Sequence, residues 1–301
     1  MQAFHETILF LITTPLFVIF IGIEILVSNA QRNHRYSKIG FWENMYLMAI
    51  NTVLDLGMRM VALYVLSNIF TYRFFEIENP YIYWILIFLL EDITFWTIHF
   101  VDHYVRIFWA VHVTHHSSQE YNLSVGLRSS LFEPLYRFIY FIPMVLMGFR
   151  VEDIFFTYSV TQLYGVFIHT QYVGKLGFFE KIMATPSHHR VHHGSNVKYL
   201  DKNMGMFLIF WDKLFGTFQE EDEPVVYGLT KNINSHHPKD VIFHEFRAII
   251  EDVKKAPDLK SKFMYIFGPP GWSHDGSRKT SKQLREELLK QDPHQEQLVS
   301  S

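Results

Sequence analysis

The stretch from His99 to His116 reads HFVDHYVRIFWAVHVTHH, and the stretch from Pro186 to Gly194 reads PSHHRVHHG. Residues three or four apart share one face of an α-helix. His99 and His103 therefore point to one side, and so do His112, His115 and His116. The second stretch repeats the H-x-x-H-H pattern at His189, His192 and His193, with His188 just before it. His169 stands alone between the clusters. These ten positions hold most of the 17 histidines in the chain; His5, His34, His236, His237, His244, His274 and His294 lie outside them. Neutral imidazole suits iron, zinc and copper. Eight or more convergent imidazoles exceed what one ion uses, so two ions sharing them is the simplest reading.

Upstream of the first cluster, Tyr81 to Phe100 is apolar in its first half and then carries Glu91 and Asp92. A helix needs about 20 mostly apolar residues to cross a bilayer. Thr7 to Val27, Tyr46 to Phe70 and Tyr81 to Phe100 meet this. Leu131 to Phe149 and Ile154 to Tyr172 are expected to form a transmembrane hairpin around the turn Arg150-Val151-Glu152-Asp153. The expected fold is an all-α integral membrane protein with four to five spans and a cytosolic, histidine-rich di-metal helical cap. Arg32, Arg35 and Lys38 follow the first span and place that loop in the cytosol. Counting spans from there brings every histidine cluster to the same face.

Three regions are expected: N-terminal spans (1–90), a histidine-rich catalytic region with the hairpin at 131–172 (91–230), and an amphipathic segment with a polar tail (231–301). Val241 to Lys254 has the helical apolar stripe of a segment lying on a surface. The chain from Ser273 onward reads as a polar tail that activity does not need. Asn51, Asp55 and Arg59 share a face of the second span and read as a clamp between helices.

The composition narrows the chemistry. Of 301 residues 49% are hydrophobic and 17% aromatic, and the net charge of −3 with scattered basic residues excludes a nucleic-acid partner. There is no cysteine, so disulfides and thiolate metal sites are excluded. Asp92 shares a helical stripe with His99 and His103; it either accepts a ring N–H from one of them or is a helix-interior carboxylate with a basic partner. Tyr158, Gln162, Gly165 and His169 form a second stripe, with Gly165 a place for either a substrate chain or close helix–helix packing. Asp92, Asp102 and Asp201 are candidate bases for a rival zinc chemistry.

Three boxes in the order H-x3-H, H-x2-H-H, H-x2-H-H, with two expected spans before the last, resemble the fatty acid hydroxylase/sterol desaturase superfamily. His115 to Ser124, Thr185 to Gly194, Asp201 to Gly205 and Trp211 to Phe218 carry the resemblance, which runs from about Glu91 to Phe218. Within the superfamily it is nearest the branch that cleaves ether lipids. The resemblance implies His99, His103, His112, His115, His116, His189, His192 and His193 as metal ligands, with His169 and His188 as additional ones. A further H-x3-H box of some relatives is incomplete, because position 173 is Val. Asp201 and Asn203 would belong to a supporting motif beside the third cluster.

The implied cofactors are two iron ions, with zinc as the alternative in a purified protein. The implied activity is O2-dependent hydroxylation or desaturation of a lipid: an ether lipid, a fatty acyl chain or a sterol-like molecule. No flavin, haem or iron–sulfur motif is present, so electrons are expected from an external donor, tetrahydrobiopterin in the ether-lipid branch. The expected location is a bacterial inner membrane or the endoplasmic reticulum. A zinc-dependent lipid hydrolase and a non-catalytic metal transporter are the competing readings. A transporter would spread ionisable residues through the depth of its spans.

Overall fold

A computed structural model describes residues 2–291, with side chains from Ile8 onward; Met1, His5, His294 and the tail over 292–301 lie outside the described residues and side chains. Three long helices dominate: α1 (Gln2–Gln31), α2 (Lys38–Phe70) and α3 (Pro80–Tyr104). Each is long and apolar enough to cross a membrane. Asn79 caps α3 through Tyr81 and Ile82, and Pro80 sits at its first position, where its missing N–H costs nothing. The outward faces stay apolar, with Val53 at 73% and Tyr81 at 80% exposure. Apolar surface on this scale belongs against lipid.

The fourth and fifth spans are corrected in form. The segment expected to make the first arm of a hairpin is broken into α5 (Pro134–Arg137), a 3-10 turn and α6 (Ile142–Leu146). Pro134 and Pro143 each start a new helix and cannot continue the one before. The second arm, α7 (Val151–Phe167), has 17 residues. Among the described residues only α1, α2 and α3 qualify as spans by length and composition. Leu66 of α2, Ile87 of α3, Val145 of α6 and Ile154 and Tyr158 of α7 pack one buried apolar cluster.

Glu24 of α1 and the charges on the Asp55 face of α2 are partnered. Asp55 accepts from Arg59 Nε at 2.7 Å and also pairs with Arg137 of α5. Asn51 donates to the Ser130 carbonyl at 2.8 Å. This face of α2 does clamp neighbouring elements. Glu24 of α1 accepts from the Leu123 backbone (2.8 Å), Thr170 (2.6 Å) and Tyr36, and so ties α1 to the loops beside the histidines.

The chain turns sharply at Val105, which is extended, and α4 (Arg106–His116) folds back along α3. After α7 come α8 (Pro186–His192) and α9 (Phe210–Phe215), joined by loops with two isolated bridges and no strand among the described residues. Then α10 (Pro238–Lys255) and α11 (Leu259–Phe267) pack on α4. The polar tail is corrected as well: Ser281–Gln291 forms α12, docked on the loop that carries Tyr199 and Asp201.

Candidate metal centre

The turn at Val105 lets α3 and α4 present their histidines to each other, and α8 closes the arrangement from the other side. Nine rings result in two groups. His99, His103, His112, His116 and His192 have ring nitrogens all within 4.8 Å of one another, and so do His115, His169, His189 and His193. The groups adjoin: the His116 and His193 rings stack at 4.4 Å. All are buried except His115, which is partly so.

Six of the nine outer nitrogens are held by the protein, while His189 Nδ1 is buried without a partner. Nδ1 donates to a backbone carbonyl in His99 (Met204, 2.8 Å), His115 (Arg128, 2.8 Å), His169 (Gly165, 2.6 Å) and His192 (Lys202, 3.0 Å). Ser130 Oγ meets His112 Nδ1 at 3.1 Å, and Asp201 Oδ1 meets His103 Nδ1 at 3.3 Å. A carbonyl only accepts, so Nδ1 of His99, His115, His169 and His192 carries the proton and Nε2 keeps a bare lone pair.

The bare nitrogens face one another. His115 Nε2 lies 3.4 Å from His169 Nε2, and both rings have Nδ1 on a carbonyl. Neutral rings in that state have no proton to share. Burial pushes His115 down to about 4 and His112, His116, His189, His192 and His193 well below the usual histidine range. His99 and His112 Nε2 approach to 3.1 Å, and His103 Nε2 and His192 Nε2 are buried without any partner. Converging lone pairs in a dry site repel unless a cation lies among them. Two nitrogens ~2.1 Å from one ion and at right angles would be about 3.0 Å apart. The donor set fits two metal ions, one per group.

Three sequence expectations change here. His188 is adjacent to His189 but joins neither group; its Nδ1 accepts from the Thr185 backbone N–H at 3.3 Å and caps α8. Asp92 touches no histidine. Its carboxylate accepts from the Phe207 and Leu208 N–H groups and from Trp211 Nε1, pinning the loop after the third cluster. Gly165 admits a protein side chain rather than a substrate: a Cβ there would collide with Met206 Sδ.

Asp201, expected beside the third cluster, lies on the outer side of His103 of the first and takes a left-handed φ of 52°. Asn203 (φ 55°) bonds the His188 and Gln219 carbonyls and the Gln219 N–H, so it shapes the loop without touching a ring.

Other side chains support the site in ways the spacing of the sequence does not give. Asp212 holds the Met204 and Gly205 N–H groups at 2.7 and 2.8 Å and so presents the Met204 carbonyl to His99. Buried Arg128 bonds Thr114, Asn44, Glu43 and Ser117 while its own carbonyl holds His115. Beyond His112, Asp102 accepts from the Tyr136 hydroxyl at 2.7 Å, with its other oxygen 3.8 Å from His112 Nδ1. Asp102 and Asp201 meet these rings from outside, at Nδ1.

The fatty acid hydroxylase family profile matches residues 84–217, which contain every histidine of both groups. That stretch belongs to the fatty acid hydroxylase family. The chain is 41% identical over 220 residues to alkylglycerol monooxygenase from Homo sapiens, covering 72% of this chain and 48% of that protein. Against the Danio rerio alkylglycerol monooxygenase the identity is 34% over 269 residues, 86% of this chain and 59% of that one. Ornithine lipid hydroxylase from Rhizobium tropici is 26% identical over 186 residues, 61% of this chain and 46% of that one. The chain spans about half the length of the curated relatives it matches. No solved structure matches it.

Proposed function

We propose that the protein is a membrane-bound di-iron monooxygenase that hydroxylates a C–H bond of a lipid, with an ether lipid as the first substrate to test. One observation carries the reading: nine imidazoles, eight of them buried, in groups of five and four, with bare nitrogens converging at the end of a membrane-length helix. His99, His103, His112, His116 and His192 would hold one ion, and His115, His169, His189 and His193 the other. Five imidazoles in one group exceed the four ligands that zinc takes, which favours iron. The names of the relatives supply the lipid class.

When bound, paired iron supplies O2 activation and the oxidising power for C–H cleavage. The balance is R–H + O2 + two electrons + two protons giving R–OH + water, so an external two-electron donor is part of the proposal; tetrahydrobiopterin is the first to try. The chain's own contribution is threefold. Carbonyls and Asp201 fix the tautomer and direction of His99, His103, His115, His169 and His192. Burial keeps the rings neutral and excludes water that would quench an oxidant. An apolar cleft of about 430 Å³ beside α4, lined by Phe108, Val111, Phe132, Tyr136, Phe243 and Phe246, can take a hydrocarbon chain close to the Tyr136–Asp102–His112 edge of the site. Positive charge after α1 favours a cytosolic site.

The zinc-hydrolase reading needs a carboxylate on the inner side of the rings to activate water. Asp92 is engaged with its loop, and Asp102 and Asp201 lie on the outer side. The deciding assay incubates the purified protein with alkylglycerol and reduced pterin under 18O2. Hydroxylated product bearing one 18O is expected; turnover that continues without O2 would overturn the proposal in favour of hydrolysis.

A further inference from the structure

Among the rings of the two groups, His103 is the one whose outer nitrogen meets a carboxylate at hydrogen-bond distance instead of a backbone carbonyl. Its Nε2 is buried with no hydrogen-bond partner, and its Nδ1 meets a side chain, Asp201 Oδ1 at 3.3 Å. The direction of this ring therefore depends on where the Asp201 carboxylate is held. Asp201 sits in a loop with a left-handed backbone (φ 52°), a conformation a non-glycine residue keeps only when its surroundings impose it.

The surroundings come from the far end of the chain. Ser281 Oγ donates to Asp201 Oδ2, the oxygen not facing His103, and Arg285 donates to the neighbouring Leu200 carbonyl. Both belong to α12. The helix start is fixed by a reciprocal cap: the Thr280 N–H donates to Gln283 Oε1 at 2.9 Å, and the Gln283 N–H to Thr280 Oγ1 at 3.4 Å.

The approach to α12 is fixed too. Gly271, at φ +80°, lets the Lys279 carbonyl come so close that a Cβ would overlap its oxygen, a contact no other residue allows. Arg278 shares Asp252 with Arg106 of α4, at 2.8 and 2.7 Å. Ser281 is thus placed by the same helix that presents His112, His115 and His116.

We propose that Ser281 is a positioning residue for the metal centre, acting through Asp201 on His103, with α12 as the strap that delivers it. A carboxylate behind a metal-bound histidine sets the ring's tautomer and raises its basicity. A carboxylate free to swing away does neither. The inference rests on the di-metal reading above.

The test uses the full chain, loaded with iron in detergent. Iron release to an excess of a ferrous chelator is timed, and Mössbauer spectra are recorded, for wild type, Ser281→Ala, Ser281→Thr, Asp201→Asn and the double variant Ser281→Ala/Asp201→Asn. Lys282→Ala, on the exposed side of α12, reports on damage to the helix as such. Release from one of two sites about 10-fold faster in Ser281→Ala, with one altered iron signal, is expected, since loss of an outer partner typically costs 10–100-fold in metal affinity.

Threonine should restore the wild-type rate, Lys282→Ala should match wild type, and the double variant should be no faster than Asp201→Asn. Equal release from Ser281→Ala and wild type would overturn the inference, as would a serine effect that persists with Asp201 already changed. The wild type separates the two levels. If it binds no iron, the di-metal reading falls and this one with it; if it binds iron and Ser281→Ala behaves identically, only the strap falls.

Discussion

At the residue scale, a ring counts as much by its outer nitrogen as by its inner one. His115 is held by the Arg128 carbonyl and faces His169 with a bare nitrogen. His115→Ala is expected to abolish turnover and lower metal content while the helical circular dichroism stays; full metal with retained activity would remove His115 from the site. The buried rings also predict an acid limit. The unfolded histidines take up protons near 6.5, whereas His115 in the fold resists until about 4. Protons then favour the unfolded chain, so stability is full above about 6.5 and is lost as pH falls towards 4. The metal-free protein should show a steep drop in melting temperature between pH 7 and pH 5, and a flat profile would contradict the neutral rings. The three boxes are legible in the sequence because ligand spacing and helix period coincide. Spacing gives no way to choose between His188 and His189, since adjacent residues on a helix of about two turns are separated only by which of them caps it. Nor does it reveal the outer acceptors, which are mostly carbonyls and leave no mark in the sequence. Asp92 departs from expectation for a related reason: a stripe gives a side chain's face, and only packing says what lies opposite.

At the element scale, the break at Val105 makes the site by reversing α4 along α3. Arg106, at the first position of α4, donates to Glu245 and Asp252 at 2.7 Å each and to the Tyr265 carbonyl at 3.4 Å. This one buried guanidinium fastens α4 to α10 and α11. Arg106→Ala would leave two part-buried carboxylates short of a partner and should cost about 3–5 kcal/mol of stability, measured as a lowered denaturation midpoint in detergent. Lysine should restore little of it, because one ammonium cannot reproduce the fork. A wild-type midpoint for the alanine variant would mean that α4 is held by apolar packing instead. The long helices α1, α2 and α3 are legible as apolar runs. The broken hairpin is not, because hydropathy adds up across Pro134 and Pro143 whereas a helix stops at them. The threonine and glutamine that cap α12 stand three apart in the sequence, a cap signature concealed by the polar composition around it.

At the scale of the whole molecule, three membrane-length helices carry a histidine-rich cap built from α3, α4, α7 and α8, and the C-terminal helices wrap that cap. A chain ending at Trp272 should therefore retain iron less well than the full chain, contrary to the dispensable tail expected from composition; equal iron retention would return α10 and α11 to being the only wrapping that matters. The central claim is that the two groups of rings hold two iron ions that react with O2. The most direct measurement is metal analysis of the detergent-purified chain from iron-rich growth, with Mössbauer spectra before and after exposure to O2. About two iron per chain with a coupled signal that changes on O2 is the predicted result, one ion for each group of convergent imidazoles. Stoichiometric zinc without iron, or iron whose spectrum ignores O2, would contradict it.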